Sequence, residues 1–478
     1  MKFRIEKDAL GTVQVPMDAY WGVNAQRAME NFPISGLKAW PELIESYVLV
    51  KKCAALANVE LGVLSKKLCK AIVRACDEIL NGDFRDQFIV DVFQAGAGTS
   101  QNMNTNEVIA NRAIEILGGK KGDYKLVSPN DHVNFAQSTN DTFPTTMRIA
   151  SRLRVDYLLS AMDELAKSFG RKAKEFDKVL KSGRTHLQDA VPIRLGQEFS
   201  AYAATVHKNM RSISEAAKYL EELGIGGSAA GTGLNTHPEY PKKFVKHLNA
   251  LTKKRFFVAN DLREAMQSNF AVAHASSALR DFALDLIRIA NDLRLLSSGP
   301  TTGFAEITLP SVQAGSSIMP GKVNPVIAEC TNMVCFQVIG NDLTIALANQ
   351  AGQLELNVMM PAMAFNVLFS LRILANMCRT LAKRCVDGIA ADREKCLNYA
   401  YSSMALATAL APHIGYLAAA EIAKEAYRTK RTIVEVAKAR RVLPQDKLEE
   451  ILEPYSMTEP GIPGIVKSKK EKERKRSR

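Results

Sequence analysis

Thr145 to Val179 reads TTMRIASRLRVDYLLSAMDELAKSFGRKAKEFDKV. Apolar residues recur along it at helical spacing, without proline and with Gly170 as its one glycine. A period held for so long predicts a single helix well beyond the three or four turns usual in globular proteins. Four more stretches repeat the pattern: about Leu195 to Leu223, Asp261 to Ser297, Val326 to Ala351 and Pro361 to Asp387. Five helices of this length predict an elongated bundle, because their apolar stripes are best buried against one another. Several carry small or apolar residues on more than one face, as in Ala271 to Ala283. One bundle in water does not need so much, so a helical core shared among copies of the chain is expected.

The flanking segments differ in character. The first forty residues are irregular, with Pro16, Gly22 and Pro33 as punctuation, and two helical patterns follow between Trp40 and Asn81. Gly96 to Ser100 is a glycine-rich turn, Asn104 to Leu117 reads as a helix, and Gly118 to Asp141 is a polar loop. After Ala390 the helical patterns shorten, from Met404 to Ala411 through to Gln445 to Leu452. The expected fold is mainly α with few strands. Three domains are expected: an N-terminal domain over 1–139, a central helical bundle over 140–394 and a small C-terminal helical domain over 395–478. A basic tail begins at about 467.

A chain of 478 residues is long enough for two or three domains, and 47% hydrophobic with 24% charged residues fits a soluble globular protein. The last twelve residues, Lys467 to Arg478, carry a net +6 of the formal +13, so the body is only moderately basic at +7. Such a tail reads as a solvated end, and a nucleic-acid partner ranks below that reading. The N-terminus, MKFRIEKDALGTVQ, has no apolar signal core, which argues against secretion. The apolar run near Leu356 to Leu371 contains Asn357, Pro361 and Asn366, and suits a buried bundle helix rather than a membrane span. Eight cysteines without a Cys-x-x-Cys pair read as reduced thiols in a cytoplasmic protein.

Polar clusters interrupt the helical chain. The first is Gly96-Ala97-Gly98-Thr99-Ser100-Gln101-Asn102, where two glycines permit close backbone approach and a helix start offers N–H groups to an anion. A plain capped turn accounts for it equally well. The second is Gln137-Ser138-Thr139-Asn140-Asp141, one member of which caps the following helix, although three short donors are more than a cap requires. The third is Gly183-Arg184-Thr185-His186-Leu187-Gln188-Asp189-Ala190, a polar turn whose His186 has no neighbour at metal-ligand spacing. His132 is read as structural. The fourth, Gly226 to Asn235, is glycine-rich and reads as a flexible linker.

The fifth is Gly315-Ser316-Ser317-Ile318-Met319-Pro320-Gly321-Lys322-Val323-Asn324-Pro325. Between Arg294 and Glu329 the only charged side chains are Glu306 and Lys322. A lone cation in a glycine-punctuated loop suits capture of a small anion that is then covered from water. A helix start with Asn324 as N-cap and Pro325 at the first position is expected as well. Together the clusters supply Ser, Thr, Asn, one His and one Lys, without a cofactor motif. That inventory fits a small substrate with one or two carboxylates, and no cofactor or metal is expected. Proton abstraction beside a carboxylate builds negative charge on it, and each pre-placed donor there is worth about 3 kcal/mol. A Ser-His-Asp hydrolase ranks low, since Gly-x-Ser-x-Gly is missing.

These clusters resemble, in order, the characteristic regions of the aspartase/fumarase superfamily, and the likeness runs from about Arg4 to Gly464. Within it, Ser128-Pro129-Asn130-Asp131-His132-Val133-Asn134, Gln137-Ser138-Thr139-Asn140 and Ala351-Gly352-Gln353-Leu354-Glu355-Leu356-Asn357-Val358-Met359 are similar to aspartases. Fumarases usually have a His before Pro-Asn-Asp. Asn235-Thr236-His237-Pro238-Glu239-Tyr240 and His413-Ile414-Gly415-Tyr416 look like fumarases. One departure stands out: Thr301-Thr302 follow Gly299-Pro300, where the family usually has Arg.

The resemblance implies reversible anti-elimination of ammonia from L-aspartate to give fumarate, through an aci-carboxylate. Ser316 and His186 are the implied catalytic residues, with Ser316 as the base. Thr99, Ser138, Thr139 and Ser317 would hold the β-carboxylate. Lys322, Asn324 and Thr185 would hold the α-carboxylate, and Asn140 and His186 would face the amino group. A homotetramer with active sites shared between subunits is implied. The alternatives are a class II fumarase acting on malate and, from another class, a non-catalytic scaffold.

Overall fold

All five long apolar patterns are helical in the computed structural model of the protein, which describes residues 2–465. The basic tail from about 467 lies outside the described residues. The chain opens with an antiparallel hairpin, β1 (Phe3–Asp8) and β2 (Gly11–Pro16), paired from Phe3 with Pro16 to Asp8 with Gly11. Helices α1 (Val23–Asn31), α2 (Pro41–Glu60), α3 (Lys66–Leu80), α4 (Thr99–Ile116) and α5 (Thr139–Glu175) follow. A second antiparallel hairpin, β3 (Leu180–Thr185) and β4 (Gln188–Arg194), leads to α6 (Leu195–Lys218). Next come β5 (Glu222–Leu223), α7 (Tyr240–Thr252), β6 (Phe257–Val258), which pairs parallel with β5, a single turn α8 (Glu264–Gln267) and α9 (Phe270–Leu296). Then follow β7 (Ile307–Thr308), α10 (Val326–Gln350), α11 (Met360–Arg384) and β8 (Ala390–Ala391), the last antiparallel to β7. The final helices are α12 (Arg393–Ser402), α13 (Ala411–Ile414), α14 (Tyr416–Thr429), α15 (Ile433–Arg440) and α16 (Gln445–Ile451).

Contacts divide the chain into two compact units. The first holds residues up to Ala161, Asn209–Leu284 and Val334–Asn376; the second holds Met162–Lys208, Asp285–Met333 and residues from Met377 onward. Each of the five long helices contributes residues to both.

In the first unit α3 shows why a sequence of this kind folds as it does. Ser65 caps it by accepting the Leu68 N–H at 3.3 Å. Its buried Cys69, Ile72, Cys76 and Ile79 fall at three- and four-residue steps and pack with α2 and α4. α4 is unusual in burying Asn102, Asn104, Asn106, Glu107 and Asn111 on its polar side. The Glu107 carboxylate accepts N–H groups from Gly22, Asn24 and Ala25 at 2.8–3.1 Å, so it satisfies the start of α1 from a distance. In the second unit a separate apolar cluster, with Leu410, Ile422, Ile433, Val436, Leu448 and Ile451 at its centre, joins α14, α15 and α16.

Three expectations are corrected. α5 begins at Thr139, before Pro144, because Ser138 and Asp141 cap it; Pro144 sits in its second turn and forgoes one helical hydrogen bond. The pattern from Asp261 to Ser297 is broken at Ser268 and Asn269. There the Ser268 hydroxyl accepts the Phe270 N–H and the Asn349 side chain accepts the Asn269 N–H, both at 3.2 Å. Most of the apolar excess in Ala271 to Ala283 is buried within the chain itself. The exposed apolar row lies instead on α10, at Met333, Phe336, Leu343 and Leu347. All eight cysteines are unpaired thiols, and only Cys330 is exposed. Among the described residues one helical stretch, Met360–Gly388, is long and apolar enough to cross a membrane, but 67% of its most apolar window is buried inside the protein.

Candidate active site

In the first unit the polar clusters meet at two helix starts. Gly98 is the N-cap of α4 at φ 93°, and a Cβ there would overlap the Phe143 ring, so only glycine fits. No side chain caps α4, and the Thr99 hydroxyl donates to the Gly96 carbonyl at 2.7 Å. At α5 the capping is reciprocal: the Ser138 hydroxyl accepts the Asn140 N–H at 3.2 Å, and Asp141 Oδ1 accepts the Ser138 N–H at 3.0 Å. Asp141 Oδ2 accepts the N–H groups of Gly226 and Ser228, both at 3.0 Å, and Asn140 Nδ2 donates to the Ala229 carbonyl at 2.9 Å. The glycine segment expected to be a flexible linker is therefore tied at its start to the first turn of α5. Thr139 is buried, and its hydroxyl oxygen accepts from Asn102 Nδ2 at 3.1 Å.

Beneath Thr139 lies Lys51 of α2, wholly buried, with Asn102, Asn134 and Gln137 around its ammonium. Burial pushes Lys51 down to about 7. It pushes Asp141 up to about 7, against hydrogen bonds from Ser138, Ser228 and Gly226 and the Lys51 charge. His132, read as structural, accepts the Ser128 N–H on Nδ1 at 2.9 Å.

In the second unit the supposed polar turn is the tip of the β3–β4 hairpin. Thr185 pairs with Gln188 across His186 and Leu187, at φ 55° and 60°. Two successive left-handed residues give the strand-matching primed turn that normally takes Asn-Gly. Holding His and Leu there costs about 1 kcal/mol or more per residue. Thr185 and His186 are exposed at this tip. Its base is anchored by charge. Arg184 Nη1 donates to both Glu306 oxygens at 2.9 and 3.0 Å, and Lys181 Nζ lies 3.1 Å from Glu306 and 2.8 Å from Glu198. The Arg184 guanidinium also lies 4.2 Å from the Phe304 ring centre and 5.4 Å from that of Tyr399.

The 315–325 loop is closed at its neck. A Cβ on Gly315 would overlap the Lys322 carbonyl, so the two ends of the loop touch only because residue 315 is glycine. Asn324 Nδ2 donates to the Gly315 carbonyl. Asn324 thus fastens the loop and does not cap α10, which starts at Val326. The Ser316 hydroxyl oxygen accepts the N–H groups of Ile318 at 3.2 Å and Met319 at 2.9 Å. Ser317 and Lys322 are exposed, and Lys322 forms no ion pair with a described residue.

Residues 11–340 match the family described as Lyase, and residues 406–459 match the fumarase C C-terminus. The chain belongs to the aspartase/fumarase superfamily. Aspartate ammonia-lyase of Bacillus subtilis is 50% identical over 463 residues, covering 97% of this chain and 98% of that one. Among solved structures of the superfamily, the fumarate lyase:delta crystallin of Brucella melitensis is 48% identical with a TM-score of 0.93, covering 96% of this chain and 100% of that one. The class II fumarase of Schistosoma mansoni is 36% identical with a TM-score of 0.93, covering 96% and 99%.

The sequence-derived site residues thus fall into three places in this superfamily member. Thr99, Ser138, Thr139 and Asn140 stand at the starts of α4 and α5 in the first unit. Thr185 and His186 stand on the hairpin tip, and Ser316, Ser317, Lys322 and Asn324 in the loop, both in the second unit. Among the described residues no hydrogen bond joins the tip to the loop. Sequence reasoning missed Lys51, Asn102, Asp141 and Glu306. Asn102 and Asp141 lay inside the quoted polar strings without a role, Glu306 was one of two charges in a long uncharged stretch, and Lys51 gave no signal.

Proposed function

We infer that the chain is an aspartate ammonia-lyase, which removes ammonia from L-aspartate reversibly to give fumarate. The observation that carries the chemistry is the pair of backbone N–H groups, of Ile318 and Met319, aimed at the Ser316 oxygen. A neutral serine is a poor base. Two preorganised donors stabilise its oxyanion, and each such donor is worth about 3 kcal/mol in a site closed to water. Ser316 takes the Cβ proton, and the electron pair moves into the β-carboxylate as an aci-carboxylate. That species collapses to the Cα–Cβ double bond as the Cα–N bond breaks and ammonia leaves.

Thr99, Ser138, Thr139 and Ser317 hold the β-carboxylate, and the first three of these stand at the starts of α4 and α5, where a helix favours an anion. Lys322, Asn324 and Thr185 hold the α-carboxylate. Asn140 and His186 face the amino group. The reading calls for no metal or organic cofactor. It includes a cytoplasmic homotetramer in which copies of the chain supply different parts of one site. The exposed apolar row on α10 supports this, since Met333, Phe336, Leu343 and Leu347 stand three, seven and four residues apart, which keeps them on one face, as a helix packed on another helix requires. It also includes the three domains over 1–139, 140–394 and 395–478. Support comes from two apolar clusters that stay inside the first and third of these, at Ile44–Val133 and Leu406–Leu452.

A hydratase acting on L-malate is the second reading, favoured by the match of residues 406–459 to the fumarase C C-terminus. It ranks lower because identity falls from 50% with the Bacillus subtilis ammonia-lyase to 36% with the Schistosoma mansoni fumarase. Fumarate absorbance separates the two. The purified protein should form fumarate from L-aspartate and not from L-malate, and Ser316→Ala should abolish turnover with helical content and assembly unchanged. Near-normal turnover in that variant would remove Ser316 as the base. Fumarate from malate alone would establish the second reading.

A further inference from the structure

Lys51 lies midway along α2, and its ammonium has three acceptors: Asn102 Oδ1 at 2.6 Å, Asn134 Oδ1 at 2.9 Å and Gln137 Oε1 at 2.9 Å. An ammonium has three N–H donors and no acceptor, so each amide must turn its oxygen towards it. For Asn102 this fixes the orientation. Nδ2 then faces away and donates to Asn134 Oδ1 at 3.2 Å and to Thr139 Oγ1 at 3.1 Å. A hydroxyl that accepts from an amide keeps its own hydrogen to give elsewhere. Among the described residues no acceptor takes the Thr139 hydrogen.

Stability does not account for this arrangement. Taking an ammonium wholly out of water is costly; Lys51 forms no direct ion pair with a described carboxylate, and the nearby Asp141 charge offsets only part of the cost. An apolar side chain of the same length would fill the space with no desolvation penalty. What the charge does supply is direction, because it makes the amide a donor on the side where Thr139 stands. It also polarises the amide, which makes the hydroxyl that follows it a stronger donor in turn.

We propose that Lys51 is a positioning residue for substrate binding: its ammonium fixes the Asn102 amide so that the Thr139 hydroxyl donates outward, to a carboxylate of the substrate. The proposal rests on the reading of Thr139 as a carboxylate contact. Without the ammonium the amide is free to flip. Asn102 Oδ1 then takes the Thr139 hydrogen, and the hydroxyl turns a lone pair towards the carboxylate and repels it.

The test is a double-mutant cycle in the full-length chain, because coupling through one hydroxyl gives losses that do not add. Thr139→Val removes the hydroxyl, and Lys51→Met removes the charge at similar length. For each single variant and the double, kcat/KM for L-aspartate and the inhibition constant of succinate are measured, with the wild-type protein as control. Each single variant is expected to lower kcat/KM and weaken succinate by about tenfold or more, with the double no worse than the worse single. Losses that multiply in the double overturn the relay while leaving Thr139 as a contact. A Thr139→Val variant that matches wild type overturns the contact, and the relay with it. Should Lys51→Met fail to fold, the isosteric Asn102→Asp replaces it, since it offers Thr139 only an acceptor. That variant must show the same loss and the same non-additivity with Thr139→Val, and wild-type kcat/KM in it overturns the proposal.

Discussion

Asp91 shows how one buried carboxylate can hold an irregular segment together. It accepts the Ser35 and Gly36 N–H groups and the Ser35 hydroxyl from one side, and the Phe93 N–H from the other, all at 2.8–2.9 Å. Burial pushes its carboxyl up, but the hydrogen bonds from Phe93, Ser35 and Gly36 outweigh it, and the group is held below the usual aspartate range. A lowered folded-state pKa contributes stability that is present above the unfolded value, about 3.9, and is lost as the pH falls through the folded value. Asp91→Asn should therefore destabilise the protein by about 1.5–3 kcal/mol at neutral pH, with a gap that closes in acid. Thermal melting of both proteins between neutral pH and about pH 3 measures this. A gap that stays constant with pH would show that the charge is not what matters. At this scale Ser316, Thr139 and His186 were legible as short donors and a titratable ring in polar strings. Asp91 and Lys51 were not, because only folding surrounds a charge with donors or acceptors from distant segments.

The β3–β4 hairpin sets the terms at the scale of an element. Its sequence reads as a polar turn but carries no hairpin signal, since His186-Leu187 replace the asparagine and glycine that mark a two-residue hairpin. That tip stands on a charged base, where the fully buried Glu306 pairs with both Lys181 and Arg184. Glu306→Gln leaves two cations without their shared carboxylate, although Lys181 keeps Glu198. Removing one partner of a buried ion pair costs about 3–5 kcal/mol, so this variant should melt well below wild type. Hydrogen exchange should show the loss concentrated over 181–194. A melting point within a degree or so of wild type would mean that the apolar contacts of Phe304 and Tyr399 suffice to seat Arg184. The 315–325 loop was far more legible. Its glycines and Asn324 announce close approaches, and only the partner of Asn324 differed from expectation: the Gly315 carbonyl rather than the start of α10.

Across the whole molecule the question is what covers α10. Met333, Phe336, Leu343 and Leu347 are each more than half exposed, which leaves a row of large apolar side chains in water on a helix of 25 residues. The proposed tetramer removes that surface from solvent. Leu343→Lys places a charge in the middle of the row and should yield a smaller species in light scattering, with far-ultraviolet helicity kept and fumarate formation lost. Retention of the wild-type mass would dissociate this face from assembly. The periodicity of 326–351 gave the helix and its length. It could not say which face stays exposed, because nearly every face of that sequence is apolar.

What the sequence by itself determined is the part governed by local rules and short-range chemistry. The 3.6-residue period decided the long helices. The strings around Ser316, Ser138 and His186 decided the superfamily and the kind of substrate, since small donors and one lysine suit a dicarboxylate. Only the tertiary structure decided which helix faces remain exposed, that the Gly226 segment is tied to Asp141, and that Lys51 stands behind Thr139. Each of these depends on segments tens of residues apart being brought together. Hydrogen-bond direction and desolvation act through space, so they have no period in the chain and leave no pattern to read.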